Sequence, residues 1–530
     1  MKKENLIYST LILTIASIFT RIIGMVFRVY LSNQIGAVGM GLYQMIISVY
    51  SFASTFACSG IVVAVSSLVS AHLARNEGKC AKYILHFCVT LSGVLGITAG
   101  AVLYFCSDVI SSVLLKDMNA AFSLKILAPS MVFMSLSSCY RGYFLAISKV
   151  SKPAVAMIVE QLVRMFVITS FMGIWISKGI KYSCAAAVIG MTIGEIICAL
   201  YLYIAYVRSS APLKQNQNME IHKMSLVKSI LKMAVPVAVS SYLQSLLRMI
   251  ENILLPNSLK KYAGNAESGM GIYGYLKGMV MPLLMFPSVF LSSLSVSLVP
   301  EISRSISVNN IKRVNHTLNR VIKITLVVSI LIVAVFITFS HEIGIALYNS
   351  AEVGRMLAML SPLCPFMYLE IVVSGILRGL NEQFSSLKYN TVDSVMRIIL
   401  IFLIVPYRGL YGFIVIMYLS NMYTSLSSIA RLLKVTTISF RMMEWLLKPC
   451  FGALLSALLF KGVFRFLIPS GLHIWLNLIF SILFLCAGYF LLLILMKCIT
   501  KSEMKWISEK MKAPLHKKQA KDVTMSSFLI

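Results

Sequence analysis

Apolar runs about twenty residues long, enough to span a bilayer's hydrocarbon core, recur along the whole of this 530-residue chain. A chain built this way cannot close into a soluble globule, so the expectation is an all-α polytopic membrane protein. Fourteen such stretches are readable, near 5–32, 41–70, 84–107, 120–146, 153–177, 183–207, 226–255, 272–299, 319–340, 354–380, 386–406, 411–434, 448–469 and 473–496. The polar intervals between and after them, chiefly 208–225 and the tail beyond Lys497, are too short to fold independently. Charged residues make up 13% of the chain, against about 25% in an ordinary soluble domain, and the mean hydropathy is +0.84.

A net charge of +29 suggests nucleic acid until the basic residues are placed. Thirty-two of the 48 Lys and Arg fall at the amino terminus (Lys2, Lys3), in alternate loops and in the tail. Ten lie in or beside the opposite loops, and six fall inside spans. That asymmetry is the positive-inside pattern with both termini cytoplasmic, and it accounts for the charge without nucleic acid. Lys2 and Lys3 open an apolar run with no small-residue cleavage site, so the segment is expected to be retained. The eleven cysteines contain no CxxC and read as small apolar fillers, and the seven histidines show no metal-ligand spacing.

The charges inside the spans carry the functional argument. Arg21 and Arg28 are two helical turns apart, so both project from one side of the first apolar helix. A charge at mid-bilayer costs roughly 2.5 kcal/mol or more and usually faces a water-filled cavity, although an arginine can also snorkel or pair with a neighbouring carboxylate. The fifth span adds Glu160, Gln161 and Arg164, the seventh Arg248 and Glu251, the eighth Lys277, and the eleventh Asn390, Asp393 and Arg397. Glu160 with Arg164 and Asp393 with Arg397 stand at i,i+4 and can neutralise each other on one helix face; these and Glu251 are gating or charge-pair candidates. Arg248 is either a cavity cation or the i,i+3 partner of Glu251. Arg21, Arg28 and Lys277 have no local partner, and the resulting surplus of positive charge suits an anion. Pro236, Pro282 and Pro287 are among the prolines expected to kink spans.

The chain also repeats itself. Gly39-Met40-Gly41-Leu42-Tyr43 recurs 230 residues later as Gly269-Met270-Gly271-Ile272-Tyr273, and Glu160 with Arg164 matches Asp393 with Arg397 at a shift of 233. Two pseudo-symmetric six-helix lobes follow, 1–207 and 226–434, joined by a cytoplasmic linker at 208–225. Two further helices (448–496) and a basic cytoplasmic tail (497–530) complete the expected organisation. Membrane proteins with such repeats commonly bind substrate between the lobes. Gly269 to Gly274 fits GxGxxG literally, but it opens a membrane helix with no strand before it, which argues against dinucleotide binding.

Arg21-Ile22-Ile23-Gly24 followed by Arg28, Ile35-Gly36-Ala37, Gly39 through Gln44, and Tyr275-Leu276-Lys277-Gly278 with Pro282-Leu283 and Phe286-Pro287 carry a resemblance. With them the chain resembles the multidrug/oligosaccharidyl-lipid/polysaccharide (MOP) exporter superfamily, in particular the sporulation members of its polysaccharide-flippase branch and, more distantly, lipid II flippases. The resemblance implies a V-shaped pair of lobes around a cationic cavity. Arg21, Arg28 and Lys277 would there hold the diphosphate of an undecaprenyl-linked glycan precursor, with peptidoglycan lipid II for spore cortex as the expected cargo. Helices 13 and 14 would form a groove for its lipid tail. Lysine stands at 277 where relatives place arginine, keeping charge but losing bidentate phosphate geometry, and the acidic residue that relatives place beside the second helix 1 arginine is missing. The resemblance also suggests a monovalent cation site at Glu251, Asn390 and Asp393.

The expectation is therefore an alternating-access flippase in the plasma membrane, with no catalytic residues and no cofactor, coupled to the membrane potential or to Na+/H+. Its expected partners are the lipid-linked oligosaccharide, membrane lipids and cell-wall synthesis proteins, and the protein is expected to be a monomer. Another lipid-linked polysaccharide unit remains an alternative cargo. A small-molecule or drug exporter is a weaker alternative, since cations would prefer an acidic cavity. A membrane polymerase or ligase would need acid/base groups on a large outer loop, and the sequence offers none.

Overall fold

The computed structural model describes residues 3–209, 223–307, 310–436, 441–460 and 474–498. Most of the expected linker (210–222), the second half of the thirteenth expected span (461–473) and nearly all of the basic tail (499–530) lie outside the described residues. What is described is helical almost throughout, as the apolar runs require: in lipid a backbone must satisfy its own hydrogen bonds. Among the described residues nine helices are long and apolar enough to cross a membrane, or ten if one bent pair counts as a single span. Two of the nine, Ile15–Ala74 and Gln383–Val435, run to 60 and 53 residues. That is more than twice the length of one crossing.

The chain forms two compact units, Met1–Pro282 with Asn390–Met417, and Leu283–Tyr389 with Tyr418–Ile530. The bounds of these units differ from those of the expected six-helix halves, 1–207 and 226–434. The first unit contains α1 (Lys3–Cys58), α2 (Ile61–Ala74), α3 (Gly78–Phe105), the single turn α4 (Ser107–Val109), α5 (Asn119–Leu127), α6 (Ser130–Ala146), α7 (Ser151–Trp175), α8 (Ile180–Ser209), α9 (Lys223–Ala263) and α10 (Ala266–Tyr273). A π-helical segment, Gly274–Val280, leads into α11 (Met281–Met285). The second unit begins within α11 and holds α12 (Ser288–Ser307), α13 (Ile311–Thr338), α14 (Ser340–Tyr348), α15 (Ala351–Leu360), α16 (Cys364–Gly379), the two ends of α17 (Gln383–Val435), whose middle, Asn390–Met417, belongs to the first unit, and then α18 (Lys448–Leu459) and α19 (Ile474–Leu495).

Breaks in the long helices occur mainly at glycine. α1 turns at Gly36 (φ 68°, ψ −176°) and α17 at Gly409 (φ 55°, ψ −135°), backbone conformations that side chains with a Cβ strongly disfavour. α9 instead runs on through Pro236 and Pro256, so the kink expected at Pro236 is not a helix break. Pro129 does separate α5 from α6, which meet at 41°. The stretch expected to bend around Pro282 and Pro287 is interrupted twice, by the π segment and by a turn before Ser288.

The repeated glycine motifs pack against each other inside the first unit. A Cβ on Gly41 would stand 2.5 Å from the Met270 carbonyl oxygen, and one on Gly274 would stand 1.8 Å from that of Ala37. Small residues let α1 approach α10 and the π segment backbone to backbone, which is how membrane helices gain packing without a hydrophobic drive. The sequence match thus marks a helix crossing, not a ligand loop. A second close contact sets the candidate site: a Cβ on Gly194 of α8 would lie 3.2 Å from the Glu160 carbonyl oxygen, so α8 rests directly on the charged face of α7. Within the second unit, buried tyrosines tie helices through their hydroxyls. Tyr368 donates to the Leu284 carbonyl at 2.6 Å, and Tyr489 to that of Val327 at 3.0 Å.

Candidate functional site

Every candidate binding, charge-pair or cation-site residue named from the sequence falls in the first unit, so the site can be built from that unit alone. Arg21 is exposed on α1, and Arg28, two turns on, is half-buried. Gly24 between them faces Gln161 of α7, whose side-chain nitrogen would be 3.7 Å from an added Cβ. Arg28 and Arg164 are both electrostatic neighbours of the buried Tyr43 hydroxyl, which lies 3.5 Å from the Met191 sulfur. Among the described residues, neither Arg21 nor Arg28 forms an ion pair.

The carboxylates, by contrast, are taken. Glu160 accepts from Arg164 Nη2 at 2.8 Å, the pair its spacing suggested, and also from Arg141 Nη2 at 2.9 Å. Arg141, near the end of the fourth expected span, is one of the 32 Lys and Arg counted with the alternate loops. It sits instead within the last turns of α6 and reaches both Glu160 and, at 3.1 Å, the sulfur of Cys198. Glu195 on α8 lies beside this group, within the field of Glu160, Arg141 and Arg164. It is only 6% exposed, and its Oε2 has no hydrogen-bond partner.

A second cluster forms around Glu251 on α9, which is 3% exposed. Lys277 Nζ lies 3.0 Å from one of its oxygens, and Arg397 Nη1 lies 3.4 Å from the other. Lys277 therefore does have a partner: the sequence could not show one because the carboxylate lies 26 residues away on another helix. Arg397 Nε stands 3.1 Å from Asp393 Oδ2 at an angle that makes a charge contact, not a hydrogen bond. The Lys277 ammonium also sits 5.8 Å from the centre of the Phe413 ring. Two cations balance two carboxylates here, whereas Arg141 and Arg164 share the single carboxylate of Glu160. The carboxylates of the suggested cation site, Glu251 and Asp393, face Lys277 and Arg397, with Asn390 one turn before Asp393 on α17.

Once these clusters are accounted for, Arg21, Arg28 and Arg248 remain without an ion pair among the described residues. Arg248 does not bond to Glu251. It lines a cavity of about 340 Å³ together with Ser54, Thr55, Ser59, Ser241 and Gln244. α1 and α9 hold this cavity between them through Thr55 Oγ1 to Ser245 Oγ at 3.1 Å and the Tyr242 hydroxyl to the Phe56 carbonyl at 3.1 Å. Hydroxyl, amide and guanidinium donors around one opening make a surface for phosphate oxygens or sugar hydroxyls. Sequence reasoning missed the hydroxyls and Gln244. The available signal was the serine and threonine density of residues 51–59, which is common in membrane helices for other reasons.

Comparison with known proteins places this arrangement in context. The model of the polysaccharide biosynthesis protein family matches residues 6–306, and that of the MatE family matches 268–403. Stage V sporulation protein B of Bacillus subtilis (strain 168) is 26% identical over 516 residues, 96% of this chain and 98% of that one. The lipid II flippase MurJ of the same organism is 24% identical over 425 residues, covering 75% and 76% of the two chains. Among solved structures, lipid II flippase MurJ in an inward closed conformation superposes with a TM-score of 0.69 at 16% identity, covering 91% of this chain and 98% of that one. The helical transporter fold expected from the sequence is therefore the fold found.

Proposed function

The chain belongs to the polysaccharide biosynthesis protein family, and from that premise we propose that it is a flippase for an undecaprenyl-diphosphate-linked glycan precursor, with peptidoglycan lipid II as the foremost cargo. The observation that carries this reading is the division among the intramembrane cations. Four pair with carboxylates, while Arg21, Arg28 and Arg248 are left for an anion, and Arg248 opens onto a hydroxyl-lined cavity. A diphosphate supplies the missing negative charge, and a sugar uses hydroxyl and amide donors. The name of one relative, the lipid II flippase MurJ, supports the same class of cargo.

In this reading the precursor's diphosphate leaves the cytoplasmic headgroup region for Arg28 and Arg248 while Ser54, Thr55 and Gln244 replace water around the phosphate and sugar oxygens. Each charge-assisted hydrogen bond is worth about 1.5–3 kcal/mol net. No bond is made or broken, so no catalytic group is needed. A negative-inside potential favours outward movement of the anion by about 2.3 kcal/mol per charge per 100 mV. The protein acts in the plasma membrane with both termini cytoplasmic. The test is binding to purified protein in detergent: undecaprenyl diphosphate is expected to bind at least tenfold more tightly than uncharged undecaprenol. Arg28→Ala and Arg248→Ala are each expected to erase about tenfold of that preference, or about 1.4 kcal/mol. Equal binding of the two lipids, or variants that bind like the parent, would remove the diphosphate from the account.

A further inference from the structure

We propose that the α2–α3 turn is a transition-metal site in which His72, Glu77 and Cys80 bind one zinc-class divalent ion, leaving a fourth position for water. The His72 ring nitrogen, a Glu77 carboxylate oxygen and the Cys80 sulfur all lie within 4.8 Å of one another. The backbone brings them together. α2 ends at Ala74, Asn76 takes a left-handed conformation (φ 59°), and the Glu77 N–H bonds back to the His72 carbonyl at 2.9 Å. That turn folds Glu77 onto His72, with Nδ1 and Oε2 2.5 Å apart, while the first turn of α3 delivers Cys80 from below. Cys80 is 5% exposed, and His72 and Glu77 are half-buried, so the group is shielded yet reachable.

The donor set selects the ion. One imidazole nitrogen, one thiolate and one carboxylate suit zinc or cobalt, whereas magnesium and calcium prefer all-oxygen sites. Zinc binds such ligands at about 2.0–2.3 Å, which sets neighbouring ligand atoms about 3.3–3.7 Å apart. The His72–Glu77 contact must therefore open slightly and the cysteine sulfur close in, movements that side-chain rotation supplies. On binding, the Cys80 thiol releases its proton to solvent, and the thiolate and Glu77 carboxylate together neutralise the two positive charges of the ion. Arg75, Lys79 and Lys82 surround the turn, but Arg75 and Lys82 are exposed, where salt screens their repulsion. The positive-inside pattern assigns this turn to the cytoplasm, a compartment that keeps a cysteine reduced and free to ligate.

The site reads out without any transport assay. Cobalt titrated into the purified full-length protein is expected to give a thiolate-to-metal absorption band and tetrahedral visible bands saturating at one equivalent, with zinc displacing both. Cys80→Ser is expected to abolish the thiolate band, and His72→Gln to weaken cobalt binding at least tenfold. Cys106→Ser, which alters an exposed cysteine elsewhere, should leave both unchanged. Circular dichroism of each variant separates loss of ligand from loss of fold. A protein that gives no thiolate band, or a band that survives Cys80→Ser in a folded variant, would reduce the cluster to a His72–Glu77 hydrogen bond beside a buried thiol and overturn the proposal.

Discussion

Replacing Glu251 with glutamine keeps its shape and removes the one charge that both Lys277 and Arg397 share. With an effective dielectric of about 20, unit charges at the observed 3.0 and 3.4 Å attract by about 5 kcal/mol each before desolvation is subtracted. Breaking a buried pair by deleting one partner typically costs about 3–5 kcal/mol net, because the other charge stays buried. Glu251→Gln strands the Lys277 ammonium and leaves Arg397 with Asp393 alone, so a loss in that range is expected. Lys277→Met should cost less, since Glu251 keeps Arg397. The double variant is expected to recover part of the single loss, with a coupling energy of about 1–3 kcal/mol. The assay is unfolding in mixed micelles as the mole fraction of dodecyl sulfate is raised, followed by tryptophan fluorescence. A Glu251→Gln protein as stable as the parent, or a double variant that shows the plain sum of the single effects, would refute a buried shared carboxylate.

Three further outcomes follow from the geometry. Glu160→Gln leaves both Arg141 and Arg164 without their carboxylate and should cost about 3 kcal/mol or more, while Glu195→Gln should stay within about 1 kcal/mol because Glu195 Oε2 has no partner to lose; the same micelle titration ranks them. Gly36→Ala meets open space and carries only backbone strain of about 1–3 kcal/mol, whereas Gly409→Ala adds a clash with the Tyr262 ring at 2.4 Å, so Gly409→Ala should lower the unfolding midpoint further. Glu382, on the turn between α16 and α17, is held below the usual carboxylate range by hydrogen bonds from Arg431 and Ser385. The stability it contributes should therefore be present at neutral pH and disappear as pH falls through that lowered value. Midpoints of the parent and Glu382→Gln should differ at pH 7 and converge in acid; a difference that persists in acid would contradict the ion pair.

How much of this was readable in the sequence depended on where each partner lies along the chain. The helices were legible because a twenty-residue apolar run has one outcome in a membrane, and Glu160 with Arg164 and Asp393 with Arg397 were legible because i,i+4 neighbours share a face. The bond from Lys277 to Glu251 and the one from Arg141 to Glu160 join different helices, so no local spacing announces them. The repeated Gly-Met-Gly segments were visible as a match but not as two surfaces packed on each other. The hydroxyls of the Arg248 cavity and the His72–Glu77–Cys80 group were hidden for the same reason. Serines in apolar helices look alike, and a His-x4-Glu-x2-Cys spacing becomes a cluster only once Asn76 has turned the chain back.

The central claim is that arginines on α1 and α9 with no ion pair among the described residues carry a lipid-linked diphosphate across the membrane. Its most direct test is the exposure of lipid II at the outer face of cells in which this protein is the one available flippase, comparing the parent with Arg28→Ala at equal membrane abundance. The account expects exposure with the parent and loss of at least nine-tenths of it in the variant. Normal exposure with Arg28→Ala, or none with a folded and inserted parent protein, would contradict it.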